Sequence, residues 1–258
     1  RNCLYRNDGG RFKNVAEDAG VVDHGSGMSV SWADYNRDGR MDIYVGNMFS
    51  SAGNRVTRQA AFMQEQDPAV RSLYQRFAKG NTLFENAGGG RFREGLESGA
   101  GMGRWAGGSG FVDVNDDGWE DLVVANGYIA AEDAGDLRSF FWRQVVSRGT
   151  GTTSAAPSHD QADSGPQQAP FDLLQSGRSF SGREKNCCYR KLGKSKQSGR
   201  RFVDGPAVSG VDFSDDARAV SLVDWDFDGD VDLWIANRNG PQARFLRNDS
   251  SSGNHHLS

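Results

Sequence analysis

At 258 residues, 36% of them hydrophobic and 10% aromatic, the chain has the composition of an ordinary globular protein long enough to bury a sizeable core. A net charge of −4 argues against a nucleic-acid surface, and no apolar run approaches membrane-spanning length. Thirty-four glycines against six prolines point to tight turns between short strands, not to collagen or disorder.

The chain opens at Arg1 without an initiator Met, so a processed or partial chain is expected. Its first element, Asn2-Cys3-Leu4-Tyr5-Arg6-Asn7, returns as Asn81-Thr82-Leu83-Phe84-Glu85-Asn86 and Asn186-Cys187-Cys188-Tyr189-Arg190-Lys191. A looser copy is Arg244-Phe245-Leu246-Arg247-Asn248. In this frame Cys188 occupies a core apolar position, so the three cysteines read as structural fillers and not as a disulfide framework. About eight residues after the first two openings, and 14 after the third, comes a second element: Gly10-Arg11-Phe12, Gly90-Arg91-Phe92 and Arg200-Arg201-Phe202.

A strand at Ser29 to Ala33 then leads into Asp34-Tyr35-Asn36-Arg37-Asp38-Gly39-Arg40-Met41-Asp42. This loop also occurs three times. Gly110 to Val112 precedes Asp113-Val114-Asn115-Asp116-Asp117-Gly118-Trp119-Glu120-Asp121, and Ala219 to Val223 precedes Asp224-Trp225-Asp226-Phe227-Asp228-Gly229-Asp230-Val231-Asp232. Ca²⁺ takes six to eight oxygens at roughly 2.3–2.6 Å, and a glycine at position 6 permits the reversal that turns side chains 1, 3 and 5 inward. The expected ligands are therefore Asp34, Asn36, Asp38 and Asp42; Asp113, Asn115, Asp117 and Asp121; and Asp224, Asp226, Asp228 and Asp232, with backbone carbonyls from Arg40, Trp119 and Asp230. About three Ca²⁺ sites follow. An EF-hand is excluded because position 12, where it needs a bidentate Glu, holds Val45, Val124 and Ile235. Those residues belong to short apolar runs that read as buried strands.

Two insertions interrupt the pattern, at about 54–80 and 131–185. In the first, Asp67-Pro68 starts a helix whose Val70, Leu73, Tyr74 and Phe77 share a face, and Gly80 ends it. In the second, Asp136 caps a helix from Leu137 to Arg148 with Leu137, Phe140, Phe141 and Val145 along a stripe. Three consecutive aromatics cannot all share that stripe, so Trp142 is expected at the rim, where Arg138 and Arg143 make it a candidate interface hot spot. From Thr150 to about Ala169 the Ser/Gly/Gln-rich composition reads as a mobile linker, and Phe171, Leu173 and Leu174 could instead cover the aromatics.

Each unit of about 50 residues thus carries four short strands. Antiparallel quartets with Gly-rich turns are the signature of propeller blades. The expected fold is all-β: a β-propeller of four-stranded blades, partial in this chain, with two helical insertions. The loop followed by an apolar strand resembles the FG-GAP/VCBS repeat of integrin-α-like propellers, over residues 1–248. Gly253-Asn254-His255-His256-Leu257-Ser258, within 249–258, resembles the start of the ASPIC/UnbV domain of the cartilage acidic protein-like family, which usually has Trp at the place of His256.

The resemblance implies calcium binding, an extracellular or periplasmic location, and a non-catalytic binding, adhesion or scaffold role. It implies a protein partner or further subunits, with carbohydrate as a second partner class, and no nucleic acid. Such propellers usually have seven blades, so the chain is expected not to close a ring by itself. The alternative is a calcium-dependent, lyase-like enzyme acting on polysaccharides, for which a propeller is a known scaffold. The only imidazoles are His24, His159, His255 and His256, and no nucleophile elbow, His-Glu-x-x-His or phosphate loop occurs.

Overall fold

A computed structural model describes residues 2–95, 98–149, 177–193, 202–205 and 210–250. The linker at Thr150 to Ala169, His159, Phe171, Leu173, Leu174 and the ASPIC/UnbV-like residues Gly253 to Ser258 lie outside the described residues.

The described chain is mostly β, in antiparallel sheets apart from one short parallel pair. A hairpin of β1 (Tyr5–Asp8) and β2 (Arg11–Asn14) leads through α1 (Ala16–Ala19) into sheet I: β3 (Gly27–Ala33), β4 (Asp42–Asn47), β5 (Thr82–Gly88) and β6 (Arg91–Glu94). Between β4 and β5 stand α2 (Ser51–Thr57) and α3 (Pro68–Lys79). Sheet II contains β7 (Ala106–Val112) and β8 (Asp121–Asn126). After β8 come β9 (Asp133–Asp136), α4 (Arg138–Gly149) and β10 (Arg178–Ser179), and sheet II is completed by β11 (Cys187–Lys191) and β12 (Phe202–Asp204). Sheet III is β13 (Ala217–Val223), β14 (Asp232–Asn237) and β15 (Ala243–Leu246). Two quartets, a trio and a leading pair match the repeat read from the sequence.

The sheets stack face to face by one rule, counted from the last Asp of each loop. Residues one and three beyond it look back toward the preceding sheet, and the residue two beyond looks forward. Leu122 and Val124 of sheet II thus meet Tyr44 and Leu83 of sheet I in one core, where Tyr44 and Phe111 lie edge to face at 6.2 Å. Val123 and Cys188 meet Leu233 of sheet III in the next. Ile43, Val45 and Phe84 look back onto α1, Val21 and Leu4. Small residues let the first strands approach closely: Ser31 Oγ lies 2.6 Å from Ser109 Oγ, and a side chain at Gly108 would run into the Ala219 backbone.

The filler reading holds for Cys187 and Cys188, which are buried, but not for Cys3, which is exposed. Among the described residues the following strand β1 has a hydrogen-bonded neighbour on one side only, so the sequence position is repeated without the burial.

The first insertion begins as expected, with Asp67 Oδ1 accepting from the Ala69 N–H at 2.8 Å and Pro68 in the first turn. Its stripe is only half used. Tyr74 packs on Phe62 and Phe77 on Phe141 and Trp142, while Val70 and Leu73 are exposed. Helix α2 was invisible in Ser-Ala-Gly-Asn-Arg-Val-Thr, which is poor in helix formers; Ser50 caps it by accepting from the Gly53 N–H at 3.1 Å. In the second insertion the rim expectation fails. Trp142 is only 3% exposed, wedged against Gly53 of α2, where a methyl group would overlap its indole. Packing of α4 on α2 and α3 gives it a second covering surface that a one-face helix does not have.

Partly buried ion pairs tie both insertions down. Arg76 Nε of α3 donates to Asp23 Oδ1 at 2.8 Å, and its Nη1 reaches Glu94 at 2.8–2.9 Å. Arg138 of α4 donates to Glu184 Oε1 at 2.7 Å. Burial works to raise Asp23, yet Arg76, the Gly25 N–H and Asn47 outweigh it and hold the carboxyl below its ordinary value. A depressed carboxylate contributes stability above its unfolded pKa of about 3.9 and loses it as pH falls through the lower folded value. Arg76→Met, which strands Asp23, is expected to cost about 1–3 kcal/mol at pH 7 and much less at pH 3, as read by urea denaturation at the two pH values. Equal cost at both would remove the ion pair from the account.

Candidate metal centre

Each acidic loop joins the first two strands of its sheet: β3 to β4, β7 to β8, and β13 to β14. All three adopt one backbone path. Position 4 is left-handed in each, at Arg37 (φ 57°), Asp116 (φ 52°) and Phe227 (φ 59°), and so is the glycine at position 6, at Gly39 (φ 82°), Gly118 (φ 81°) and Gly229 (φ 100°). A non-glycine residue there costs roughly 1–2 kcal/mol. That the same cost recurs at three unrelated side chains means that the path itself is being held.

The first aspartate organises the turn. One of its carboxylate oxygens accepts from the glycine N–H, at 2.7 Å from Gly39, 2.6 Å from Gly118 and 3.2 Å from Gly229. Position 5 accepts from the N–H of position 7: Arg40 to Asp38 at 3.0 Å, Trp119 to Asp117 at 2.9 Å and Asp230 to Asp228 at 2.9 Å.

The last aspartate does two jobs. Asp42, Asp121 and Asp232 are each fully buried. Their Oδ1 atoms accept from the backbone of the third strand or, in sheet III, two residues beyond it, from Asn86 at 2.7 Å, Lys191 at 2.6 Å and Asn248 at 2.8 Å. The loop is thereby pinned to a neighbouring strand. The other oxygens of Asp42 and Asp121 have no hydrogen-bond partner among the described residues, nor do Asp224 Oδ1 and Asn115 Oδ1. A buried carboxylate oxygen without a partner is costly, and a cation is one remedy. Burial, despite the bond from Asn86, pushes the Asp42 carboxyl up to about 6; burial, despite the bond from Lys191, pushes Asp121 to about 7. The donor set is all oxygen and acidic, which fits Ca²⁺.

The three loops differ in how far their ligands converge. Oxygens of Asp224, Asp226 and Asp232 lie within 4.8 Å of one another, close enough to hold one metal ion. In the first loop Asp38 Oδ2 is instead engaged by Arg40 Nη2 at 2.6 Å, and in the second Asp117 Oδ2 accepts from Asn115 Nδ2 at 2.9 Å. The side chains at position 7, expected to contribute only their backbone carbonyls, are all engaged. Arg40 also donates to the Asn86 carbonyl at 2.9 Å, the Trp119 ring lies beneath Arg37 of the neighbouring loop at 5.1 Å, and Asp230 is buried. Residues missed by sequence reasoning include Lys191, whose Nζ stands over the rings of Tyr35, Trp119 and Phe202 at 4.8–5.6 Å. Glu120 was missed too: its carboxyl is raised by burial first and then by Asp113 and Asp34, so the first two loops share one acidic end of the molecule.

Residues 1–45, the stretch ending within β4, match the FG-GAP-like repeat family. Over 48 residues the chain is 50% identical to Cartilage acidic protein 1 of Mus musculus, which covers 18% of this chain and 7% of that protein. The match therefore spans less than a tenth of the length of this relative. What the comparisons establish is an FG-GAP-like repeat at the N-terminal end of a mostly β chain.

Proposed function

We propose that the chain is a calcium-binding segment of a β-propeller, extracellular or periplasmic, that serves as a non-catalytic binding, adhesion or scaffold module. The observation that carries this reading is the repeated last aspartate, buried in all three loops with one oxygen clamping the neighbouring backbone. In two of the three loops its second oxygen is left for a cation. Calcium would be held by Asp34, Asn36, Asp38 and Asp42, by Asp113, Asn115, Asp117 and Asp121, and by Asp224, Asp226, Asp228 and Asp232, with position 7 carbonyls completing each shell. The ion would neutralise carboxylates that otherwise repel one another and would lock the loop path. The FG-GAP-like match supports the extracellular setting and a protein-interaction role, and no helix among the described residues is long and apolar enough to cross a membrane. The insertions, carried on a rigid sheet scaffold, are where a protein or carbohydrate partner would be recognised.

Calorimetric titration of the metal-free chain with CaCl₂ tests the reading. About three sites are expected, the tightest at the third loop, where four carboxylates are available. Asp228→Ala should abolish the tightest site, while Asp117→Ala and Asp38→Ala should each remove a weaker one. No heat of binding at millimolar calcium would end the proposal.

A further inference from the structure

Two bridges join the first acidic loop to the second, and both use side chains that the other copies do not share. Arg37, at position 4 of the first loop, lays its guanidinium over the ring of Trp119, at position 7 of the second, 5.1 Å from the centroid. The approach is close: a methyl group at Gly118 would lie 3.2 Å from an Arg37 nitrogen. Lys191 makes the second bridge. Its backbone N–H holds Asp121, position 9 of the second loop, while its Nζ stands 4.8 Å over the ring of Tyr35, position 2 of the first, and 5.6 Å over Trp119. Lys191 is 4% and Tyr35 0% exposed, so this bridge is buried. Phe202 completes it, stacked on Tyr35 at 5.5 Å with the ammonium 5.3 Å over its own ring. In the repeat the place of Lys191 is taken by Asn86 and Asn248, and positions 4 and 7 of the third loop are Phe227 and Asp230.

Each bridge grips backbone on which a bound ion would depend. The Trp119 N–H donates to Asp117 Oδ1 at 2.9 Å, and its carbonyl is the expected position 7 ligand of the second loop. An ion there fixes that peptide and, with it, the ring beneath Arg37 and Lys191. Arg37 stands between Asn36 and Asp38 at φ 57°, and Tyr35 between Asp34 and Asn36. Held against a fixed ring, these two residues keep the first loop in the path that its own ion needs, so less freedom is lost when that ion binds. Linkage makes the effect reciprocal. Repulsion between the two ions opposes it, but positions 5 and 6 of both loops face solvent, where salt at about 0.15 M screens charges more than about 8 Å apart. The third loop stands outside this arrangement. The second loop meets sheet III through Val114, whose carbonyl accepts from Asn248 Nδ2 at 3.2 Å and whose side chain packs on the Val123–Leu233 core. Among the described residues no cation stands over Trp225 or Phe227.

Resting on the calcium reading above, we infer that the first and second loops bind calcium as a positively coupled pair, linked by Arg37 and Lys191 on the ring of Trp119, and that the third loop binds independently. Arg37, Trp119 and Lys191 act here as positioning residues, since none of them offers a side-chain ligand.

Calorimetric titration of the whole 258-residue chain carrying Asp228→Ala, which silences the third loop, tests the coupling in about 0.15 M salt. Adding Asp38→Ala or Asp117→Ala isolates one loop at a time. The product of the two association constants in the paired chain, divided by the product of the two isolated constants, is the coupling factor. Silencing a loop also removes a charge beside its neighbour, so the series is repeated with Trp119→Leu, which keeps every charge and the position 7 carbonyl. The factor is expected to be about tenfold or more in the parent series, to fall about tenfold with Trp119→Leu and to return with Trp119→Phe, which restores a ring. Arg37→Gln, at an exposed site outside the core, should lower it as well and reads the same link without touching the half-buried ring. With Asp228 restored, the third-loop constant should not move when the other two loops are silenced, and a shift as large as the pair's factor would overturn its independence. A factor of one or below in the parent series, or one factor shared by the parent, Trp119→Leu and Arg37→Gln, overturns the coupling while the heats themselves leave calcium binding standing. No heat in any chain removes the calcium reading and the coupling together.

Discussion

Chelation is expected to lower the melting temperature of the chain by several degrees for each site emptied, as read by differential scanning calorimetry in excess calcium and in EGTA. At a hundred times the dissociation constant each bound ion stabilises by about 2.7 kcal/mol, and 1 kcal/mol is worth about 2–4 °C in a chain of 150–250 residues. The position of the last aspartate sharpens the expectation. Asp121→Asn keeps an oxygen to accept from the Lys191 N–H, so it should weaken only the calcium-dependent part of the stability. Asp121→Ala also leaves that buried N–H unpaired and should cost about a further 1–3 kcal/mol even in chelator. An unchanged melting temperature in chelator would refute the metal reading, and equal behaviour of the two variants would refute the dual role.

Trp142→Ala is expected to cost about 3–5 kcal/mol by emptying the junction of α2, α3 and α4. The indole is 3% exposed, with the Phe141 and Phe77 rings 5.6 and 6.2 Å away and Gly53 at van der Waals contact behind it. The loss should appear first as fluorescence change and proteolysis at the insertions, with the sheets melting later, because the helices form a layer of their own outside the sheet stack. Unchanged thermal stability with loss of a partner would return Trp142 to the exposed rim and contradict the packing. Gly53→Ala provides the complementary check: the added methyl overlaps the same indole, so it should destabilise the same layer.

The loops and strands were legible in sequence because their determinants are contiguous. Nine residues with Asp or Asn at 1, 3, 5 and 9 and Gly at 6 dictate a turn whose backbone path depends little on what surrounds it, and the three copies do share left-handed positions 4 and 6. Apolar runs after each loop likewise fixed β4, β8 and β14 to within a residue or two. The stacking rule was implicit in the alternation of Ile43, Tyr44 and Val45, but its direction was not.

Sequence by itself determined the quartet of strands, the acidic loops between first and second strands, and the helix start at Asp67-Pro68. Tertiary structure alone decided which of several equivalent side chains are covered. Tyr44 is fully buried and Phe245, in the forward-looking place of Leu83, is 37% exposed, although both occupy forward-looking positions, because sheet II follows the first and no described sheet follows the second. Trp142 is buried and Cys3 exposed, against their sequence readings, for the same reason. It also decided the pairing of Asp23 with Arg76, separated by 53 residues, and the sharing of one acidic end by two loops. Backbone path is a local property that nearby residues settle, whereas burial and charge pairing depend on surfaces contributed by distant segments, and these exist only once the sheets have stacked.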